Sequence, residues 1–273
     1  MSVADDTAVR AAADRLIRAL RTGTPCAPVR DLIGTADTQA AYAVQQRVVA
    51  ARLAEGARAS GRKIGLTSPA VQAQLGVDRP DFGILLDEMD VSALAEVPSG
   101  RLLQPKVEAE VAFVLADDLP ADWSDGPLGE DQVRAAVEYA VAALEIVDSR
   151  VAGWDIRYTD TVADNASSGL YVLGTERVTL DRFSPREVRM TMALDGAQVS
   201  TGTGADCLGD PLTALAWLAR TVRDLGHPLR AGEVVLSGAL GPMAVVLPGA
   251  RVEARISGLG TVTAVFSDEE GKA

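Results

Sequence analysis

The sequence predicts an α+β protein, with helices gathered at the N-terminus and a β-rich remainder. Three features carry that expectation. Residues 4–21 set Val9, Ala13, Leu16, Ile17 and Leu20 at helical spacing, and a second helix is expected over 37–55. Residues 104–115 alternate with the period of two that a strand imposes. In the last third, Asp195-Gly196 separates two β-type runs, 188–194 and 198–201, as a hairpin turn does.

Taken in order, Gly23, Pro25 and Pro28 end the first helix and begin a loop. Asp37 or Thr38 caps the second helix, and Gly56 closes it. These helices form an N-terminal layer, residues 1–60, ahead of a β-rich core over 61–273. Lys63 follows in a short segment between glycines, and Ser68-Pro69 reads as the start of a short helix through Leu75. Asp81 falls in a turn over 79–83. Beyond a loop at 117–129, a helix is expected over 130–142, then a buried strand over 143–150. A small-residue loop follows at 161–169. Asp210-Pro211 opens a helix that Gly226 stops. Strands are expected at 233–237, 251–256 and 261–266, and the tail from Asp268 reads as disordered.

At 273 residues the chain can bury a sizeable core, and with 4% aromatics its packing rests on Val, Leu, Ile and Ala. A net charge of −12 without a basic stripe argues against nucleic acid as a partner. Cys26 and Cys207 make no metal-ligand spacing, so a reduced, cytoplasmic protein is the expectation. The first residues carry no signal-peptide pattern. The uncharged run 234–250 is broken by glycines and prolines, which rules it out as a membrane span. His227 is the only histidine and precedes Pro228 in a post-helix loop, which argues against Ser-His-Asp chemistry and leaves no His-rich zinc site. Acid–base work falls to Lys, Glu, Asp or water.

On the 104–115 strand, Val107, Ala109, Val111, Phe113 and Leu115 face one way. Glu108 and Glu110 face the other, and that face continues into Ala112 and Val114. Such a pair is often just the wet side of a strand. A face that turns apolar suggests instead a lined cavity, where adjacent carboxylates need a proton or a cation between them. A hard divalent ion, Mg²⁺ or Mn²⁺, suits such oxygens. Glu145 lies alone between Leu144 and Ile146 and supplies a candidate third ligand. Asp148 and Arg150 read as a structural ion pair or a turn.

Several stretches together are familiar: Gly61-Arg62-Lys63-Ile64-Gly65-Leu66-Thr67-Ser68, Pro80-Asp81-Phe82-Gly83, Pro105-Lys106-Val107-Glu108-Ala109-Glu110, Leu144-Glu145-Ile146-Val147-Asp148-Ser149-Arg150, Asp160-Thr161-Val162-Ala163-Asp164-Asn165-Ala166-Ser167-Ser168 and Gly238-Ala239-Leu240-Gly241-Pro242-Met243. In that order, and over nearly the whole chain, they resemble the 2-keto-4-pentenoate hydratase family, in the hydratase/decarboxylase branch of the fumarylacetoacetate hydrolase superfamily. The resemblance implies a mixed, β-rich, rolled or barrel-like core of the fumarylacetoacetate hydrolase C-terminal type behind the helical layer, and a homo-oligomer. It implies Mg²⁺ or Mn²⁺ on Glu108, Glu110 and Glu145, an active-site lysine at Lys63 and a substrate-contacting serine at Ser167. Asp81 matches an acidic residue of the hydratases that the decarboxylase relatives lack, which tilts the chain toward hydration. One departure is Asp210, where many members carry histidine; since Asp caps a helix well, little should change.

The implied reaction is hydration of 2-hydroxypenta-2,4-dienoate to 4-hydroxy-2-oxopentanoate, a step in meta-cleavage degradation of aromatic compounds. Lys63 and Asp81 would share proton transfer and water activation, with the Lys63 pKa lowered by the nearby cation. The alternatives are decarboxylation of 2-oxo-3-hexenedioate and a non-catalytic subunit partnered with a decarboxylase or aldolase. Hydrolytic C–C cleavage is disfavoured by the lone His227.

Overall fold

The computed structural model describes residues 5–68, 72, 77–120 and 128–268. Most of the helix expected over 68–75, the centre of the 117–129 loop and the tail beyond Asp268 lie outside the described residues.

Helix α1 (Asp6–Thr22) starts where the Asp5 carboxylate accepts the Ala8 N–H and ends at Gly23, whose φ of 64° is the left-handed cap that glycine adopts without strain. After a short α2 (Arg30–Ile33), which the sequence reading leaves inside a loop, α3 (Thr38–Ala54) is capped by Asp37. Leu16 of α1 and Val44 of α3 pack together with Val151, Tyr158 and Val162 from the chain's middle. The helical layer therefore shares its core with the segment that carries part of the candidate site.

The larger sheet contains β1 (Ala59–Gly65), β2 (Asp81–Leu86), β3 (Pro105–Leu115), β4 (Val137–Asp148) and β5 (Ser168–Leu173), with β8 (Val234–Ala239) and the short β9 (Ala244–Val245). Its order is β2-β1-β8-β3-β4-β5, with β9 on β3; β1 and β8 run parallel and every other pair is antiparallel. A second sheet, β11-β10-β6-β7, holds β6 (Arg189–Leu194), β7 (Ala197–Thr203), β10 (Arg251–Ile256) and β11 (Gly260–Val265). The hairpin expected at Asp195-Gly196 joins β6 to β7, both turn residues with positive φ.

The apolar face of β3 fills the main core as its alternation requires. Val107, Val111 and Phe113 are fully buried with Val252 and Ala254 of β10 and with Leu215 and Leu218 of α6 (Pro211–Asp224). Each such side chain contributes roughly 1.5–3 kcal/mol. Because this face is committed to the core, Glu108 and Glu110 are forced to the opposite side.

Three expectations need correction. Asp81 opens β2, pairing with Gly65 of β1, and does not sit in a turn. The helix begun at Glu130 (α4, Glu130–Ala136) stops at Ala136, because Tyr139, Val141 and their neighbours extend the β3–β4 ladder, whose pairing outweighs the helical propensity of the alanines. Arg150 pairs with the buried Asp164 at 2.5 Å and not with the Asp148 carboxylate, which accepts the Leu103 and Gln104 N–H groups. No described helix is long and apolar enough to cross a membrane.

Candidate active site

Antiparallel register sets Glu145 of β4 directly opposite Glu108 of β3, and Glu110 follows two residues along the same face. One oxygen from each of the three carboxylates lies within 4.8 Å of the others. Lys63 of β1 reaches this group, with Nζ 3.1 Å from Glu145 Oε1, and donates to the Ala166 carbonyl at 3.0 Å. Strands β1 and β4 are separated by β8 and β3, so three inter-strand spacings, about 14 Å in a flat sheet, divide their backbones. Their side chains meet because they lean toward one another across a curled sheet.

Asp81 lies against β1 beside the lysine: a β-carbon on Gly65 would fall 2.2 Å from Asp81 Oδ1, so only glycine leaves room for this carboxylate. The expected small-residue loop is in fact helix α5 (Tyr158–Ala163) followed by a tight turn, Asn165–Ser167. All three turn residues have φ between 52° and 54°, a conformation that costs non-glycine residues of order 1–3 kcal/mol each. The Asn165 amide holds it by bracketing both backbone groups of Ile84 at 2.8 Å. The turn thereby presents the Ala166 carbonyl to Lys63 and places Ser167 Oγ 3.2 Å from Thr161 Oγ1.

A cavity of about 210 Å³ opens on this constellation. Lys63, Asp81, Glu108, Thr161 and Ser167 line it, together with Lys106 and the apolar Trp154, Ile156 and Met243. Glu110 and Glu145 are buried behind Glu108. A larger cavity, about 330 Å³, lies between α1, α3 and residues 100–103; within it Arg150 and Asp164 pair with one another, and none of the three clustered glutamates lines it.

Burial pushes Glu108 up to about 7, with Glu145 adding to the effect, and burial with the same neighbour raises Glu110 well above the carboxylate range. Burial likewise raises Asp81 to about 6, although Lys63 opposes it. For Lys63, burial works against the charge, but Glu145, Asp81, Glu108 and Glu110 outweigh it and hold the ammonium above its ordinary value. The lowered lysine pKa expected from sequence presupposes a cation on the carboxylates; with the carboxylates alone the sign is reversed.

The residues fit a hard cation. Glu110 Oε2 accepts the Gly238 N–H at 2.8 Å, but its Oε1 and Glu145 Oε2 are buried without a hydrogen-bond partner among the described residues. Four carboxylates, those of Asp81, Glu108, Glu110 and Glu145, face two lysines, which leaves two negative charges for a divalent ion to balance. The donors are all oxygen, as Mg²⁺ and Mn²⁺ prefer.

Lys106 and Trp154 line the cavity without being singled out by the sequence, whereas the Thr161 hydroxyl belongs to the 161–169 segment whose hydroxyls are expected to be able to face a ligand. Lys106 was legible: it precedes Glu108 by two residues and so shares its face. Trp154 was not, since only the fold brings it over β3. His227 does not line this cavity, its backbone N–H being bonded to Val222 O at the end of α6, and Asp210 caps that helix by accepting the Leu212 N–H at 2.8 Å.

A curled mixed sheet with a carboxylate cluster on its inner face defines a class, and the family model for the fumarylacetoacetate (FAA) hydrolase C-terminal region matches residues 86–267. The chain is 53% identical to the TodF product hydratase of Pseudomonas putida over 95% of its own length and 96% of the relative's. It is 49% identical to the 2-keto-4-pentenoate hydratase of Paraburkholderia xenovorans, covering 95% of each chain. Among solved structures, 4-oxalocrotonate decarboxylase from Pseudomonas putida G7, complexed with magnesium and adipate, superimposes with a TM-score of 0.89 at 32% identity, over 96% of this chain and 98% of that one. The chain belongs to the 2-keto-4-pentenoate hydratase family.

Proposed function

We propose that the chain is a divalent-metal-dependent hydro-lyase that adds water to 2-hydroxypenta-2,4-dienoate, giving 4-hydroxy-2-oxopentanoate. The observation that carries this reading is the convergence of Glu108, Glu110, Glu145, Lys63 and Asp81 on one cavity, in a chain about half identical to named hydratases. Glu108, Glu110 and Glu145 would hold Mg²⁺ or Mn²⁺, an assignment supported by their oxygen geometry and by the magnesium of the decarboxylase complex. When bound, the ion supplies Lewis acidity to the substrate's 2-oxo group.

The chain's own residues do the rest. Ser167, held by Thr161, orients the C1 carboxylate. Tautomerisation moves the enol proton to C5 and leaves a 2-oxo-3-enoate; water then adds at C4 and a proton at C3. Lys63, held protonated by its carboxylate neighbours, is placed to donate, and Asp81, with its pKa near 6, to take the proton of the attacking water. Trp154, Ile156 and Met243 limit the water that reaches the site. The same reading has the protein in the cytoplasm as a homo-oligomer.

The test is a spectrophotometric assay of chelator-treated protein with the dienoate, with and without Mg²⁺ or Mn²⁺, and with 2-oxo-3-hexenedioate in parallel. Metal-dependent loss of the dienoate with 4-hydroxy-2-oxopentanoate as product is expected. Preferential CO₂ release from the diacid would replace hydration with decarboxylation, and inertness toward both would sink the reading.

A pH dependence follows from the same carboxylates. Metal-free Glu108 and Glu110 hold protons near neutrality that a cation must displace. Cation affinity should therefore fall below pH 7, about tenfold per pH unit for each proton displaced, as titration calorimetry between pH 6 and 8 would read. The metal-free fold should behave oppositely. Glu108 and Asp81 have folded pKa values above their unfolded ones, so the native state binds more protons than the unfolded chain between about pH 4 and 7. Its Tm should rise as pH falls from 8 toward 6, and a flat or falling Tm would contradict the assigned burial.

A further inference from the structure

We infer that Lys106, seated on the Trp154 indole, is a substrate-binding residue that receives the C1 carboxylate of the 2-oxo acid alongside Ser167; the inference rests on the proposed hydratase reading. Lys106 lines the cavity, and its Nζ lies 4.2 Å from the Trp154 ring centroid. Among the described residues it has no hydrogen-bond or salt-bridge partner. An ammonium carries three donors, and a ring beneath it occupies one side only. The other donors are left for the cavity.

The support under this lysine is built. Trp154 adopts φ of 56°, a strained value for a bulky residue, directly after Gly153 at 63°. Gln104 clamps that corner: its Oε1 accepts the Gly153 N–H at 2.7 Å, its carbonyl accepts the indole Nε1–H at 2.9 Å, and its Nε2 donates to the Ser149 and Val151 carbonyls. Strain held by so many bonds at a cavity wall points to a role for the ring there.

Register identifies which end of the substrate the lysine meets. Lys106 pairs with Val147 of β4, and Val147 pairs with Ser168 of β5. The lysine thus shares one row across the sheet with Ser168, the residue that follows the serine turn, one strand repeat from the row of Glu108 and Glu145. Charge gives the reason for a cation in that row. Lys63, Lys106 and a divalent ion together balance the four carboxylates, so the loaded site is neutral before substrate enters. Without Lys106 an anionic substrate would enter a site that is already negative, in a chain of net charge −12.

The experiment compares wild type with Lys106→Met and Lys106→Arg by three readouts: steady-state kinetics on the dienoate, calorimetric binding of 2-oxopentanoate to the Mg²⁺-loaded protein, and Mn²⁺ binding to the metal-free protein. For Lys106→Met the expected result is a KM and a 2-oxopentanoate Kd raised about tenfold or more, with kcat changed less than threefold and Mn²⁺ affinity within twofold. Lys106→Arg should recover part of the loss. Unchanged 2-oxopentanoate affinity would overturn the assignment, and so would a loss of Mn²⁺ affinity that accounts for the whole effect. Should wild type bind 2-oxopentanoate yet leave the dienoate untouched, the hydratase reading fails while the binding ratio still judges Lys106. A wild type that binds neither would overturn both.

Discussion

Glu110→Gln should lower turnover by at least ~10²-fold and remove tight divalent-cation binding, while leaving the Tm of the metal-free protein within a few degrees of wild type. The two halves of this result have separate causes. Without metal, burial and the neighbouring Glu145 and Glu108 raise the Glu110 pKa and so favour its protonated form, which glutamine matches in charge and shape. The glutamine carbonyl can still accept the Gly238 N–H that Oε2 accepts now. What it cannot supply is a carboxylate, so one of three charged ligands within 4.8 Å is lost. Calorimetric Mn²⁺ titration and thermal melts of the same preparation check both parts. A variant that keeps most of its metal-dependent turnover would show that the cation sits elsewhere, and a collapse of the metal-free Tm would show that Glu110 is ionised and structural.

Arg150→Met should destabilise the fold by about 3–5 kcal/mol, or roughly 10 °C in Tm, although Arg150 makes no contact with the three-carboxylate cluster. Both Arg150 and Asp164 are buried, and the guanidinium serves the Asp164 carboxylate together with the Asp148, Asp164 and Ser168 carbonyls. Truncation leaves a buried carboxylate and three carbonyls short of donors. Lysine should not rescue, because one ammonium cannot reproduce the planar fork. Adding Asp164→Asn to Arg150→Met should recover part of the loss by removing the stranded charge, and the double-mutant cycle measures the coupling. Since the Asp164 and Ser168 carbonyls flank the Asn165–Ser167 turn, activity should also fall, with Ser167 displaced. Additive effects in the cycle would show that the pair is not the anchor described.

The sequence carried more of the site than of the boundaries around it. The Glu108/Glu110 face was legible because a strand's period of two is local, and Glu145 because a lone carboxylate in an apolar run must be paired or bound. Caps at Asp5, Asp37 and Asp210 are local as well. The end of α4 is not legible in the sequence, because an alanine-containing stretch keeps helical propensity until a sheet partner, here β3, claims it. Asp81 reads as a turn residue for a similar reason: nothing near Pro80 reveals that β1 lies alongside.

Sequence alone thus determined the chemistry available to this chain: acidic oxygen donors, a single histidine, and lysine as the base or acid at hand. Tertiary structure decided the meetings. Glu145 stands opposite Glu108 by register, Lys63 crosses two strands to reach Glu145, Arg150 chooses Asp164 over Asp148, and Trp154 folds over Lys106. Each of these depends on strand order, register or a buried charge seeking a partner far along the chain, and those free energies exist only once the sheet has closed.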